Sequence, residues 1–188
     1  MRTVSQRYRR PIMQRPERFS RFEYLGEATQ PHFVQRVLEV LQIIHPFDDF
    51  ERSDVMTMLA KMDCYRVPAH STIIYEDEPG DFVILLLEGK IEIVKKDNNG
   101  IYRQLGLADP GKMLGEMSLI DEKPRSAGCI ASSELTFAVL DREGLNDILR
   151  SEPGTGCKIL MALLMMTTER LRDISGRMAY LLGNADMA

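Results

Sequence analysis

The stretch "GEMSLIDEKPRSA", residues 115–127, decides how the rest of the chain is read. It packs a Gly-Glu pair, a short apolar helical run and a Pro-Arg-Ser-Ala tail into one loop. Gly111 and Gly115 permit tight turns, and the run from Glu116 to Ile120 suits about one and a half turns of helix. The start of a helix exposes backbone N–H groups with partial positive charge, a setting for a phosphate. Pro124 ends the helix and steers the chain into an extended path. Arg125 then returns toward the helix start with a guanidinium able to grip an anion in two places. Ser126 adds a hydroxyl and Ala127 a backbone N–H beside a small side chain. Glu116 is the exception, since an acid repels a phosphate. Either it closes the loop by pairing with Arg125, or it accepts hydrogen bonds from a sugar hydroxyl of the same ligand while Arg125 shields the two negative groups. The pairing alone leaves the Gly-Glu start and the small Ser-Ala end without a reason, so the implied ligand is a compact phosphate fused to a ribose.

On either side of this stretch the texture is that of strands. From Cys64 onward, "YRV", "TIIY", "FVILLLEGKIEIV", "IYRQLGL", "AGCIA" and "LTFAVLD" are separated by "PAHS", "EDEPGD", "KDNNG", "ADPG" and "SSE". Short strands at roughly 8–12-residue spacing predict a mainly β protein with flanking helices, an antiparallel β-roll of jelly-roll type. Gly80 and Gly100 read as turn glycines with positive φ, Asn98-Asn99-Gly100 as a hairpin, and Gly89 as the break between two strands.

Helices flank this region. Pro31 opens "PHFVQRVLEVLQII", whose apolar residues at 34, 37, 38, 41 and 44 form one face, giving an N-terminal helix over 31–45. "HPF" breaks it, and Ser53 is expected to cap a second helix with Val55, Met56, Leu59 and Met62 inward. The roll then spans 46–153, ending in a short helix stopped at Pro153. A long helix follows over about 155–182, within a segment 154–183. Apolar residues at 160, 164, 171, 174, 178 and 181, with Thr167 between them, form a heptad seam suited to a second copy of the chain. A second stripe at 159, 163 and 166 suits the roll. Both stripes are alternatively one wide core face.

Composition narrows the function. Residues 1–22 carry seven arginines against Glu17, a charge of +6, while the whole chain is −4, so residues 23–188 carry −10. An acidic folded part argues against a nucleic-acid-binding domain. The arm, taken as 1–30, reads as a solvated terminus, with an acidic partner, RNA, a membrane surface or an organellar transit role as the alternatives. The apolar runs at 82–87 and 159–166 are too short to span a bilayer, and no signal peptide opens the chain. Cys64, Cys129 and Cys157 form no CxxC pair, which suits reduced thiols in a cytoplasmic setting. "GLADPGKM" at 106–113 imitates a P-loop but has Met113 where a hydroxyl belongs, and no long helix follows it. His32, His45 and His70 sit at no metal-ligand spacing, and GxSxG and HExxH are absent, so neither a metal site nor an enzyme is expected.

The cassette resembles the phosphate-binding cassette of the cyclic nucleotide-binding domain family, roughly F-G-E-x-[A/S/G]-L followed by P-R-[A/S/T]-A. Here it reads Leu114-Gly115-Glu116-Met117-Ser118-Leu119 and Pro124-Arg125-Ser126-Ala127, with Leu114 replacing the leading Phe. The resemblance extends over about 46–182. It implies that Glu116, aided by Gly115, accepts from the ribose 2′-hydroxyl. It implies also that Arg125, Ser126 and the backbone around Met117 and Ala127 hold the cyclic phosphate. Ile93 and Leu105 would flank the base, with Ser175 as a polar contact to it, and the long helix would move to signal occupancy. The ligand implied is cAMP in preference to cGMP. Six residues follow Leu182, so the expectation is a free-standing sensor without an appended DNA-binding or catalytic domain, acting on an effector protein. The alternative is a module that kept the fold, lost the ligand and oligomerises through its long helix.

Overall fold

The computed structural model describes residues 19–185, with side chains through Tyr180. The element order is β1 (Glu23–Glu27), α1 (Pro31–Leu41), a 3₁₀ turn (His45–Phe47), α2 (Arg52–Leu59), β2 (Met62–Val67), β3 (Thr72–Ile74), β4 (Phe82–Glu88), β5 (Ile91–Lys96), β6 (Tyr102–Ala108), β7 (Met113–Leu114), α3 (Glu116–Asp121), β8 (Gly128–Ala131), β9 (Leu135–Asp141), α4 (Arg142–Ser151) and α5 (Pro153–Ala185). Two antiparallel sheets, β1-β2-β9-β4-β7 and β3-β8-β5-β6, face each other as a β-roll.

The continuous apolar runs of β4 and β9 follow from their place in this arrangement. Both strands lie inside the larger sheet, covered on its two faces, so both alternating sets of side chains are buried. Val83, Leu85, Leu87, Ala138 and Leu140 join a core shared with α1, α2, α4 and the start of α5. Phe82, Ile84, Leu86, Leu135, Phe137 and Val139 fill the interior of the roll. The outer strand β6 is exposed over most of its length and carries Arg103 and Gln104, polar residues that discourage edge pairing.

Several expectations about the elements change: α1 ends at Leu41 rather than at 45, and Met62 lies on β2 rather than on the face of the second helix. The arm does not reach residue 30: Phe19 and Phe22 are buried in the roll, and Glu23–Glu27 add strand β1 to β2. Burying two phenyl rings outweighs the polar character of the residues between them. The arginines at 2, 7, 9, 10, 15 and 18, and the Leu181 side chain of the heptad seam, lie outside the described residues. Ser53 does not cap α2. The helix starts at Arg52 with Glu51 in the cap position, two residues earlier than a Ser53 cap implies, and the Asp54 carboxylate accepts from the backbone N–H of Glu51 at 2.9 Å. Finally, Pro153 opens α5 rather than only ending α4, as suits a residue with no N–H to leave unpaired.

The first turns of α5 are fixed to the body. The Asp54 carboxylate accepts from Thr155 Oγ1 and from Lys158 Nζ, both at 2.6 Å. Ile159, Ala162 and Leu163 are buried, so the stripe at 159, 163 and 166 faces the protein as expected. Residues 171–180 are all exposed. Among the described residues, no helix is long and apolar enough to cross a membrane.

Candidate functional site

The cassette starts where β7 gives way to α3. Gly115 adopts φ 91°, a left-handed conformation that a residue with a Cβ enters only under strain. A Cβ there would also lie 2.9 Å from the carbonyl oxygen of Phe82 and collide with Arg125 Nη1. The next residue, Glu116, is 2% exposed. At the other end of the loop, Pro124 to Ala127 form a strap. Arg125 N–H donates to Glu78 O, and Asp77 N–H donates to Arg125 O, both at 2.9 Å, so the strap is hydrogen-bonded to the loop before β4. Lys95 Nζ donates to Ser126 O at 2.6 Å and pairs with Glu76 at 3.1 Å. Burial would raise the Glu76 carboxyl, but hydrogen bonds from the Lys96 N–H and Lys95 outweigh it and hold the group below the ordinary glutamate range.

Arg125 is not the exposed arginine of a solvent cleft. It is 3% exposed, donating from Nη1 to Gly115 O at 2.7 Å and from Nη2 to Phe82 O at 2.8 Å. Its guanidinium carbon lies 4.4 Å from the centroid of the Phe82 ring. Gly80 makes this possible: a Cβ at that position would collide with Arg125 Nε. The reason for a glycine at 80 is thus close approach, not the positive φ anticipated from its turn context, and none is found there. The loop-closing pair of Glu116 and Arg125 does not form. Glu116 Oε1 instead accepts from Arg170 Nη1 of α5 at 2.7 Å, and Arg170 Nη2 donates to Met113 O at 3.3 Å. Glu116 and Arg170 are 54 residues apart. The second reading of Glu116 keeps an acid poised for hydrogen-bond donors, but the cation beside it comes from the long helix.

Gly115, Glu116, Met117, Arg125, Ser126, Ala127 and Ile93 line one narrow cleft of about 50 Å³, together with Ile74, Leu114, Cys129 and Arg170. That is well below the range usual for small-molecule sites, so the cleft has to widen to take a ligand of nucleotide size. One side is apolar, while Glu116, Arg125, Ser126 and Arg170 supply directional polar groups. Leu105 is not part of it. That residue sits on the exposed strand β6, half exposed, and its carbonyl accepts from Arg177 Nη1 at 3.3 Å. Ser175 is exposed on α5 and is absent from the cleft lining as well. The resemblance alone implies both; on α5 it is Arg170, which continues the inward stripe of 159, 163 and 166, that reaches the cleft. A larger recess of about 440 Å³ lies between α1 and the larger sheet, lined by Arg36, Arg66 and Leu87 among others, and contains none of the cassette residues.

Chemistry by an activated thiol finds no support in the cleft. Burial pushes the Cys129 thiol up to about 12, so it stays protonated near neutrality. Among the described residues, no cluster of three or more His, Cys, Asp or Glu side chains is placed to hold a metal. The apparent P-loop resolves into strand: Lys112 is followed by β7, not by a helix.

Sequence reasoning missed Arg170, Phe82, Gly80 and the pair of Lys95 and Glu76. Only Gly80 gave a local signal, and it pointed to the wrong cause.

Roll, cassette and closing helix together define a β-roll domain closed by a long helix. Residues 65–152 match the family model described as cyclic nucleotide-binding domain. A crystal structure of a cyclic nucleotide-binding domain from Methylobacillus flagellatus superposes with a TM-score of 0.79 at 32% identity, covering 87% of this chain and 94% of that one. The chain belongs to the cyclic nucleotide-binding domain family. Among curated proteins, it is 35% identical over 112 residues to a cAMP-dependent protein kinase regulatory subunit of Aspergillus fumigatus, covering 60% of this chain and 26% of that protein. It is 26% identical over 144 residues to a CRP-like cAMP-activated global transcriptional regulator of Mycobacterium tuberculosis, covering 77% of this chain and 62% of that protein. It therefore spans between 26% and 62% of the length of these relatives.

Proposed function

We propose that the protein is a non-enzymatic cytoplasmic sensor of a cyclic nucleotide, cAMP in preference to cGMP, and that α5 carries the signal to an effector protein. The observation that carries this reading is the contact of Arg170 on α5 with the buried Glu116 of the cassette at 2.7 Å. In the proposed complex Glu116 accepts from the ribose 2′-hydroxyl while Arg170 stays on its other side. The cation offsets the repulsion between that carboxylate and the cyclic phosphate. Arg125 meets the phosphate with its guanidinium plane already set by Gly115 O and Phe82 O, and Ser126 and the backbone of Met117 and Ala127 complete the anion site. Ile93 borders the base. The preference for cAMP rests on relatives whose names carry it, the kinase regulatory subunit and the CRP-like regulator. Ligand entry favours the arrangement in which Arg170 is seated, and so alters the population of docked α5.

The exposed apolar side chains of α5, Leu164, Leu171, Ile174 and Met178, favour a second element of the reading, association of two copies along the 160–181 seam. They are also what the ligand-free alternative would use: a vacant cassette and a helix that only oligomerises. A thermal melt separates the two. A ligand at 100 times its dissociation constant adds about 2.7 kcal/mol, and each kcal/mol moves the midpoint by roughly 2–4 °C at this chain length. The expected result is a rise with cAMP, a smaller one with cGMP and none with AMP. No rise with any cyclic nucleotide refutes the sensor and leaves the oligomerising helix.

A further inference from the structure

Phe82 holds Arg125 twice, by its ring face at 4.4 Å and by its carbonyl oxygen at 2.8 Å. What holds the ring of Phe82 lies far upstream. Phe19, 4% exposed, meets it edge-to-face with ring centroids 5.0 Å apart and planes at 73°. Phe19 is itself wedged against Tyr65 at 5.3 Å and Phe22 at 6.1 Å. Arg21 pins the segment across the smaller sheet, donating from Nη2 to Ile73 O at 2.9 Å while its guanidinium lies over Phe22 and Tyr75 at 4.9 and 4.8 Å. The match to the family model begins only at residue 65, so this segment stands outside the part of the chain that the family pattern describes.

We infer that Phe19 is a positioning residue for nucleotide binding: by fixing the Phe82 ring it fixes the Arg125 guanidinium, so the segment before β1 sets affinity at the cassette. The inference rests on the cyclic-nucleotide reading for its consequence, though not for its geometry. A cation over an aromatic face is held best when the ring is desolvated and oriented, and an edge-to-face neighbour is what orients it. Without Phe19 the ring of Phe82 gains room to tilt, and the guanidinium loses the surface that keeps its plane turned toward the cleft.

Two measurements on the full chain test this. In the ligand-free protein, the ¹⁵N–¹H signal of Arg125 Nε is expected to be displaced by the Phe82 ring current. Phe19→Ala should move it toward the position of a solvated arginine. Phe47→Ala, which empties part of the helix-side core without touching Phe82, should leave it in place. Calorimetric titration with cAMP should then give affinity about tenfold weaker for Phe19→Ala, a part of what a desolvated cation–π contact contributes because the Phe82 ring stays and only its orientation is lost, and unchanged for Phe47→Ala. Phe19→Leu, which restores apolar bulk without a ring, should recover thermal stability but not affinity. An unmoved Arg125 signal overturns the inference, as does equal weakening by Phe19→Ala and Phe47→Ala. If the signal moves as expected but the unmodified chain takes up no cyclic nucleotide, the positioning stands and the nucleotide reading is what fails.

Discussion

Replacing Arg125 separates a bolt from a hook. As a ligand hook alone, its loss would leave the free protein untouched, the outcome that the sequence suggests for a residue at a cleft. The structure gives a different expectation. The guanidinium is buried, bonded to two main-chain carbonyls at 2.7 and 2.8 Å and stacked on Phe82. Hydrogen bonds from a charged group contribute about 1.5–3 kcal/mol each. Two such bonds, each taken at the lower end of that range, give about 3 kcal/mol. Allowing for the cation–π contact and for relaxation, ligand-free Arg125→Ala should lose about 3 kcal/mol. At roughly 2–4 °C per kcal/mol, that is a fall of about 10 °C in midpoint. Arg125→Lys, which keeps the charge and one route to a carbonyl, should recover part of it. Urea titration of the three proteins without ligand reads this directly, since the midpoint falls with stability while the slope follows the surface exposed. Repeating it with cAMP should show stabilisation of the parent and none of Arg125→Ala, a loss of at least about 100-fold in affinity. If ligand-free Arg125→Ala unfolds at the parent's midpoint, the guanidinium is not seated on Gly115 and Phe82, and the preorganised anion site is wrong.

Other perturbations probe the remaining contacts. Arg170→Ala should weaken cAMP binding by about tenfold, a value discounted because Arg170 is partly exposed, and should abolish any ligand-dependent protection of distal α5 in limited proteolysis. Equal protection in parent and variant would remove Arg170 from the signalling path. Gly80→Ala should cost both melting temperature and cAMP affinity, because its methyl group takes the place of Arg125 Nε; unchanged binding by calorimetry would contradict the tight seat. Burial raises the Asp54 carboxyl, but hydrogen bonds from Lys158, Thr155 and the Glu51 N–H hold it below the ordinary aspartate value. A depressed carboxyl stabilises the fold above its unfolded value and loses that contribution as pH falls through the folded one. The stability gap between the parent and Asp54→Asn should therefore be full at neutral pH and shrink below about pH 4. A gap independent of pH between 3 and 7 would mean that the ion pair with Lys158 contributes nothing.

Periodicity carried most of the architecture. The strands around 82–94 and 135–141, the turn at 97–100 and the inward stripe of α5 were legible because each depends on side chains close together in sequence. The cassette was legible for the same reason, its Gly115, Glu116, Arg125 and Ser126 falling within one loop. What escaped was whatever depends on distance along the chain. Arg170 reaches Glu116 through the pitch and placement of a helix, and Phe19 reaches Phe82 across the roll. Gly80 looked like turn chemistry because a glycine spared for a distant guanidinium and one spared for a positive φ are the same letter. Leu105 and Ser175 lie away from the cleft lining for a related reason, since a residue's rank within an exposed strand or helix does not fix which way it points.

The two fastenings of α5 give it the mechanics of a lever. Its root is clamped by Asp54 to Thr155 and Lys158, its middle touches the cassette through Arg170, and Arg177 reaches β6 only through one longer bond at 3.3 Å. At 1.5 Å of rise per residue, the span from the root to Tyr180 is about 35 Å. A tilt of about 10° about that root therefore moves the far end by roughly 6 Å while shifting Arg170 by about 3 Å. On the proposed reading, small displacements at the cassette would be multiplied at the exposed tip, where a partner would feel them as a change of position rather than of chemistry.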